Sequence, residues 1–223
     1  DPETSLLQQA ELDFRKSGKK RRYSWDYDAS FDIFSRAKSG APLTRLTTEV
    51  GYDAEGAFSP KGDRIVFASN RNAYRSKLSP EEAQRLEDDP SYFIDIYTMN
   101  IDGSDVRQLT TSQGYDGGPF YDATGDHITW RRFTPDGSKA EIWIMKSDGT
   151  EQRQVTSTGV MSWAPFFHPS GDYIIYTSNT FGYDNFELFI VASDGESDPV
   201  RVTLAEGFDG LPVFSPDGTR LVW

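Results

Sequence analysis

The chain has 223 residues, 36% of them hydrophobic and 14% aromatic, with a formal net charge of −12, a pI near 4.6 and no cysteine. That acidity disfavours nucleic acid and anionic membrane surfaces, and the missing thiols exclude disulfides, thiolate metal sites and a cysteine nucleophile. No run approaches the ~20 apolar residues of a membrane span; the longest, LFIVA at 188–192, has the length of a strand.

Residues 1–17 read as a short amphipathic helix, with Thr4 or Ser5 as its cap and Leu6, Leu7, Ala10 and Phe14 at helical spacing. Such a helix is expected to lie on the edge of the following domain, with a partner-binding helix as the alternative. Lys16, Lys19, Lys20, Arg21 and Arg22 form the dense basic cluster of the chain. A solvated loop accounts for them, and docking on an anionic partner or lipid headgroup is the sharper alternative.

From residue 31 onward the sequence repeats. One module reads FDIFSRAKSGAPLTRLT, FIDIYTMNIDGSDVRQLT, AEIWIMKSDGTEQRQVT and FELFIVASDGESDPVRVT; the other reads AFSPKGDRIVF, FYDATGDHITW, FFHPSGDYIIY and VFSPDGTRLVW. The first has an acidic residue (Asp32, Asp95, Glu141, Glu187), alternating apolar positions, a Gly turn and a short strand ending in Leu/Val-Thr. The second has an aromatic, a turn ending in Gly and a β-branched or Leu run. Phe58, Tyr121, Phe167 and Phe214 are spaced 63, 46 and 47 residues apart, so the unit is about 46 residues long and the first copy carries an insertion.

Two hairpins per unit make four antiparallel strands, the size of one propeller blade. Glycine supplies the positive φ of each tight turn. The fold class this predicts is all-β, a β-propeller of four-stranded antiparallel blades with short helical insertions. Residues 1–30 carry the N-terminal helix and basic loop, followed by a half-blade at 31–47, blades at about 48–110, 111–156 and 157–203, and a half-blade at 204–223. Either the end halves combine to close a four-bladed ring, or they belong to a longer propeller; Trp223, stopping within a strand, favours the second. Within the insertion at 74–92, Ser79-Pro80-Glu81-Glu82 is a capping box, predicting a helix to about Asp88 that stops before Pro90. This helix and the N-terminal one precede the same half of their blades, which predicts two helical flaps on one rim.

The candidate site lies five residues before each aligned aromatic, at Asp53, Asp116, Ser162 and Asp209, with Glu55 two residues beyond the first. This stretch opens the innermost strand of each blade, so the equivalent positions are expected to ring the mouth of the central channel. Three readings stay open. Each Asp caps its own loop through an Asx-type bond; the acids form a solvated or protein-binding anionic mouth; or Asp53, Asp116 and Asp209 hold a cation, Ca²⁺ or Mg²⁺ given oxygen donors alone. The acids opening the third strands are expected to pair with a basic residue of a neighbouring strand or blade. The turns around Asp102, Asp148 and Asp194 lack the spacing of a calcium loop, and His127 and His168 belong to no metal-spaced pair. Neither HExxH, GxSxG, GxxxxGK[ST] nor GxGxxG occurs, so no catalytic motif is visible.

FSPDGTRLVW, FSPKGDRIVF and the YTMNIDGSDVRQLT type of half-blade resemble the WD40-like (PD40) repeats of TolB-type bacterial β-propellers, over about residues 23–223. The succession YDAEGAFSPKG, YDGGPFYDATG, WAPFFHPSGDYIIYTSN and FDGLPVFSPDG is similar to secreted or periplasmic members, some standing alone and others fused to peptidase domains. The resemblance implies a six- or seven-bladed ring, export, and binding to other envelope proteins, including a membrane-anchored complex. It also implies the alternative of a propeller gating a peptidase whose catalytic domain lies outside this chain. Cation or small-ligand binding at the channel mouth is the third expectation.

Overall fold

The computed structural model describes residues 2–16 and 27–223. Helix α1 (Pro2–Lys16) begins at Pro2, so Thr4 and Ser5 lie inside it rather than capping it; Pro is at home in a first helical turn. Leu6 and Ala10 on its expected apolar face are exposed. Lys19, Lys20, Arg21 and Arg22 lie outside the described residues.

The rest is built from hairpins. Strands β1 (Phe34–Ser35) and β2 (Thr44–Arg45) form a two-stranded sheet. Blade one contains β3 (Asp53–Phe58), β4 (Arg64–Ser69), β5 (Asp95–Asn100) and β6 (Arg107–Gln108). Blade two contains β7 (Asp116–Tyr121), β8 (His127–Phe133), β9 (Ala140–Lys146) and β10 (Arg153–Gln154). Blade three contains β11 (Ser162–Phe167), β12 (Tyr173–Ser178), β13 (Glu187–Ala192) and β14 (Val200–Arg201). Strands β15 (Val213–Phe214) and β16 (Leu221–Val222) make a second two-stranded sheet. Each full blade is an antiparallel meander in chain order, and its first strand lies against the first strand of the next. The two end sheets do not pair with each other, so the described residues form an open arc of a propeller rather than a closed four-bladed ring.

The strands alternate, but both faces are covered. In β4, Ile65 and Phe67 pack with Leu46, Tyr97 and Met99, while Val66 and Ala68 point the other way, into a cluster with Ile94, Ile96, Ile128, Trp130 and Met145. A third cluster joins Ile142, Ile144 and Val155 of blade two to Phe167, Ile174, Tyr176 and Val191 of blade three. Period-2 side-chain alternation thus sends successive residues to opposite blade interfaces, and stability comes from stacking blade on blade. The close approach also uses a turn glycine: a Cβ on Gly103 (φ 84°) would sit 2.5 Å from the carbonyl oxygen of Leu46 in the preceding half-blade. Gly149 against Leu109 and Gly195 against Val155 repeat that contact.

The acid that opens each third strand is tied down by the threonine that ends the fourth. Thr47, Thr110, Thr156 and Thr203 each accept from the backbone N–H of Ile33, Ile96, Ile142 or Leu188 at 2.9 Å, and each donates its hydroxyl to Asp32, Asp95, Glu141 or Glu187. The expected basic partner is present in two of the four. Arg45 pairs with Asp32 and Arg201 with Glu187, whereas Gln108 donates to Asp95 at 2.8 Å and Glu141 accepts from Thr158 and the Gly159 N–H. The reason is local: the residue two before the threonine is Arg in the outer copies and Gln in the inner ones.

In blade one, β4 leads into a short helix α2 (Arg71–Arg75), helix α3 (Pro80–Asp88) and a 3-10 turn over Pro90–Phe93. The capping box forms: Ser79 accepts from the Glu82 N–H and the Glu82 carboxylate accepts from the Ser79 N–H. Arg85 of α3 donates to the Pro135 carbonyl at 2.6 Å and lies 4.5 Å over the ring of Tyr92, fastening the flap to the β8–β9 loop of blade two.

Candidate interaction site at the mouth of the axis

The first strand of each full blade carries the same irregularity. Register slips between Ala54 and Ala57, Gly117 and Phe120, and Trp163 and Phe166. The residue in each bulge is left-handed: Glu55 at φ 56°, Gly118 at 61° and Ala164 at 50°, with Leu211 at 57° in the matching place before β15. Three of the four are not glycine, a strain of ~1 kcal/mol or more each that the surrounding ladder must hold. A bulge re-aims a side chain, and here it turns Glu55 across to blade two. Its carboxylate accepts from Arg131 Nη2 at 2.6 Å, the Gly118 N–H at 2.8 Å and the Tyr115 hydroxyl at 2.9 Å. Burial alone would raise the Glu55 carboxyl; the Arg131 charge and these hydrogen bonds outweigh it and hold the group below its ordinary value.

The other sequence-predicted residues have different partners. Asp53 is buried and accepts from Arg71 Nη2 at 2.6 Å, Arg71 Nε at 3.2 Å and Ser69 Oγ at 2.5 Å. Asp116, also buried, is gripped bidentately by Arg132, both bonds 2.8 Å. Ser162 donates to Ser178 Oγ at 3.2 Å and shares a 2.9 Å bond with Thr158. Asp209 accepts from the Trp223 indole at 3.1 Å. Each of these residues is therefore bonded to a partner of its own. Asp53 and Asp116 are each neutralised within their own blade, by Arg71 at the start of α2 and by Arg132 near the end of β8, rather than by an Asx cap of the loop. Among the described residues no three His, Asp or Glu side chains are grouped to hold a metal ion, so Asp53, Asp116 and Asp209 form no common ligand set. Arg71, Arg131 and Arg132 are the residues the sequence reading missed. For Arg131 and Arg132 the signal was present in HITWRRF: two arginines inside a strand flanked by aromatics need buried anionic partners.

Arg131, the partner of Glu55, also lines a cavity of about 680 Å³. The starts of strands one and three and the ends of strands two and four share one face of each blade, and the cavity opens there. Tyr27, the flap residues Asp89, Ser91 and Tyr92, and Tyr115, Arg131 and Phe133 form one side; Trp163, Tyr183, Asp184, Phe186 and Phe208 form the other. On the first side Tyr115 stacks on Phe133 at 5.5 Å and meets Tyr27 edge-on at 6.0 Å. On the second, Trp163, Phe186 and Phe208 are mutually 5.5–6.2 Å apart. The insertion thus borders the cavity with Tyr27, which belongs to the segment ahead of β1. His127 and His168 sit by the β7–β8 and β11–β12 hairpins, at the opposite ends of the strands, bonded to Asp122 and Ser170. Neither reaches the cavity.

No family model and no curated protein matches this chain. Solved structures do. A TolB candidate from Agrobacterium tumefaciens superposes with a TM-score of 0.63 at 22% identity, covering 86% of this chain and 65% of its own. TolB from Acinetobacter baumannii gives 0.63 at 17% identity, covering 82% and 40%. A puromycin-hydrolyzing peptidase of Mycobacterium tuberculosis gives 0.56 at 16%, covering 86% and 31%. The chain has the TolB-like β-propeller fold, and it spans less than two thirds of the length of each of these structures. Among the described residues no helix is long and apolar enough to cross a membrane.

Proposed function

We infer that this chain is a non-catalytic interaction propeller that receives a segment of a partner protein in the aromatic cavity at the mouth of the axis. The observation that carries this reading is the pairing of charge with exposure. The carboxylates of the first strands are already matched, while the ring of Phe208 (59% exposed) stands open at the cavity. Large rings in a concave, polar-rimmed site are the usual anchors of protein recognition. The fold likeness to TolB supports a partner in the bacterial envelope, a periplasmic or secreted location, and a place in a larger, membrane-associated assembly. Passing envelope extract over the immobilised chain and over Trp163→Ala and Phe208→Ala variants tests it. A discrete set of proteins, identified by mass spectrometry, is expected on the parent and lost from both variants. Equal retention by all three, or no specific retention by the parent, overturns the reading.

The likeness to the peptidase propeller supports a second reading, in which the same cavity screens substrate for a hydrolase domain outside this chain. The mass of the native polypeptide separates the two, since the second requires a further catalytic domain in the same product.

A further inference from the structure

The two sides of the cavity differ in one respect: where their cations are. On the side built by blades one and two, the rings already hold guanidinium groups of the chain itself. Arg131 lies 4.7 Å over Tyr115, and Arg85 lies 4.5 Å over Tyr92. Both are also engaged electrostatically, Arg131 by Glu55 and Arg85, more loosely, by Asp89 at 3.6 Å. On the blade-three side, among the described residues, no Arg or Lys lies over Trp163, Phe186 or Phe208 and none pairs with Asp184 beside them. Rings with no cation over them among the described residues, with a carboxylate at the rim, are complementary to a cation on an apolar stem.

We propose that the blade-three half of this cavity selects a basic side chain of the partner, an arginine or lysine flanked by apolar residues. The guanidinium or ammonium stacks on the Trp163–Phe186–Phe208 cluster, and Asp184 takes the charge. This rests on the reading of the cavity as a docking site and adds the chemistry of what docks. Three features favour a peptide cation over a neutral occupant. The chain carries a net charge of −12; Glu55 cancels the charge of Arg131 in the lining; and the same molecule uses guanidinium-on-ring contacts to build the opposite wall. An incoming arginine completes on blade three what Arg85 and Arg131 complete on blades one and two.

The test titrates the full chain calorimetrically with acetyl-Gly-Leu-Arg-Leu-Gly-amide and with the same peptide carrying citrulline, which keeps the shape and removes the charge. The arginine peptide is expected to bind about tenfold more tightly than the citrulline peptide, with affinity falling as salt rises. Asp184→Asn, on an exposed loop, is expected to weaken the arginine peptide about three- to tenfold and to leave the citrulline peptide unchanged. Trp163→Ala removes the preference altogether, with its melting curve checked because Trp163 lies in β11. Equal affinity for the two peptides overturns the proposal, as does an arginine affinity indifferent to Asp184→Asn. Failure of both peptides to bind overturns it too; the envelope-extract experiment with Trp163→Ala then decides separately whether the cavity is a docking site.

Discussion

Blades one and two differ from blade three at one backbone position, the residue that opens the innermost strand. In the first two it is an aspartate locked by an arginine, Asp53 with Arg71 and Asp116 with Arg132. In the third it is Ser162, joined through Ser178 to Thr180 and directly to Thr158 by hydroxyl bonds of 2.9–3.2 Å. The neighbouring sequences line up as Ser69-Asn70-Arg71 and Ser178-Asn179-Thr180, so acid and base appear together and are absent together. The position demands a hydrogen-bonded partner across the hairpin, and a carboxylate is one way of meeting the demand. It is an anchor for the strand, and that is why the repeated aspartate does not mark a ligand set.

The comparison can be broken most severely by removing one member of a buried pair. Asp53→Ala or Asp116→Ala leaves a buried guanidinium uncompensated and should cost about 3–5 kcal/mol, read from urea unfolding. Converting blade one to the chemistry of blade three sharpens it. Asp53→Ser with Arg71→Thr should recover at least half of that loss, and a double-mutant cycle gives the coupling directly. Full additivity of the two single changes would show that the pair is not the anchor.

A second contrast, between Asp95 and Glu187, predicts opposite responses to pH. Both open third strands and both accept from a threonine, but Glu187 has Arg201 and Asp95 has Gln108. Burial, then the Asp116 carboxylate in the next blade, pushes Asp95 up to about 8, against the pull of Thr110, Gln108 and Arg132. Burial would raise Glu187 too, but Thr203 and Arg201 outweigh it and hold it below its ordinary value. Folded Asp95 therefore keeps a proton that the unfolded chain releases near pH 4. Its contribution is fully present below that and is lost as pH rises to about 8. Asp95→Asn should flatten the fall in melting temperature across that window. Glu187 contributes in the opposite sense, its stabilisation being lost as pH falls through its lowered value, so Glu187→Gln should blunt acid destabilisation instead. The smallest effect is expected from Ser162→Ala, about 1 kcal/mol, because it removes neutral hydrogen bonds and strands no charge.

Much of the architecture was legible because it is local. The 46-residue period, the Gly turns, the strand alternation and the Ser79 capping box are written in residues only a few positions apart, and each forms. The acids opening the first and third strands were also visible as repeated positions. Their partners were not, since Arg71, Arg132 and Thr110 reach them only after the hairpins have closed. Nor was the bulge at Glu55, where nothing in the residue type signals a left-handed backbone, and where the strain is held by contacts to Tyr115, Gly118 and Arg131 in another blade.

The amino-acid sequence by itself thus determined the repeating module and the fold class, because turn geometry and period-2 burial act between near neighbours. Only the tertiary structure decided which charges cancel and where rings are left open. The cavity is assembled from residues between Tyr27 and Phe208, and electrostatic and packing partners so far apart in the chain are chosen by how blades stack.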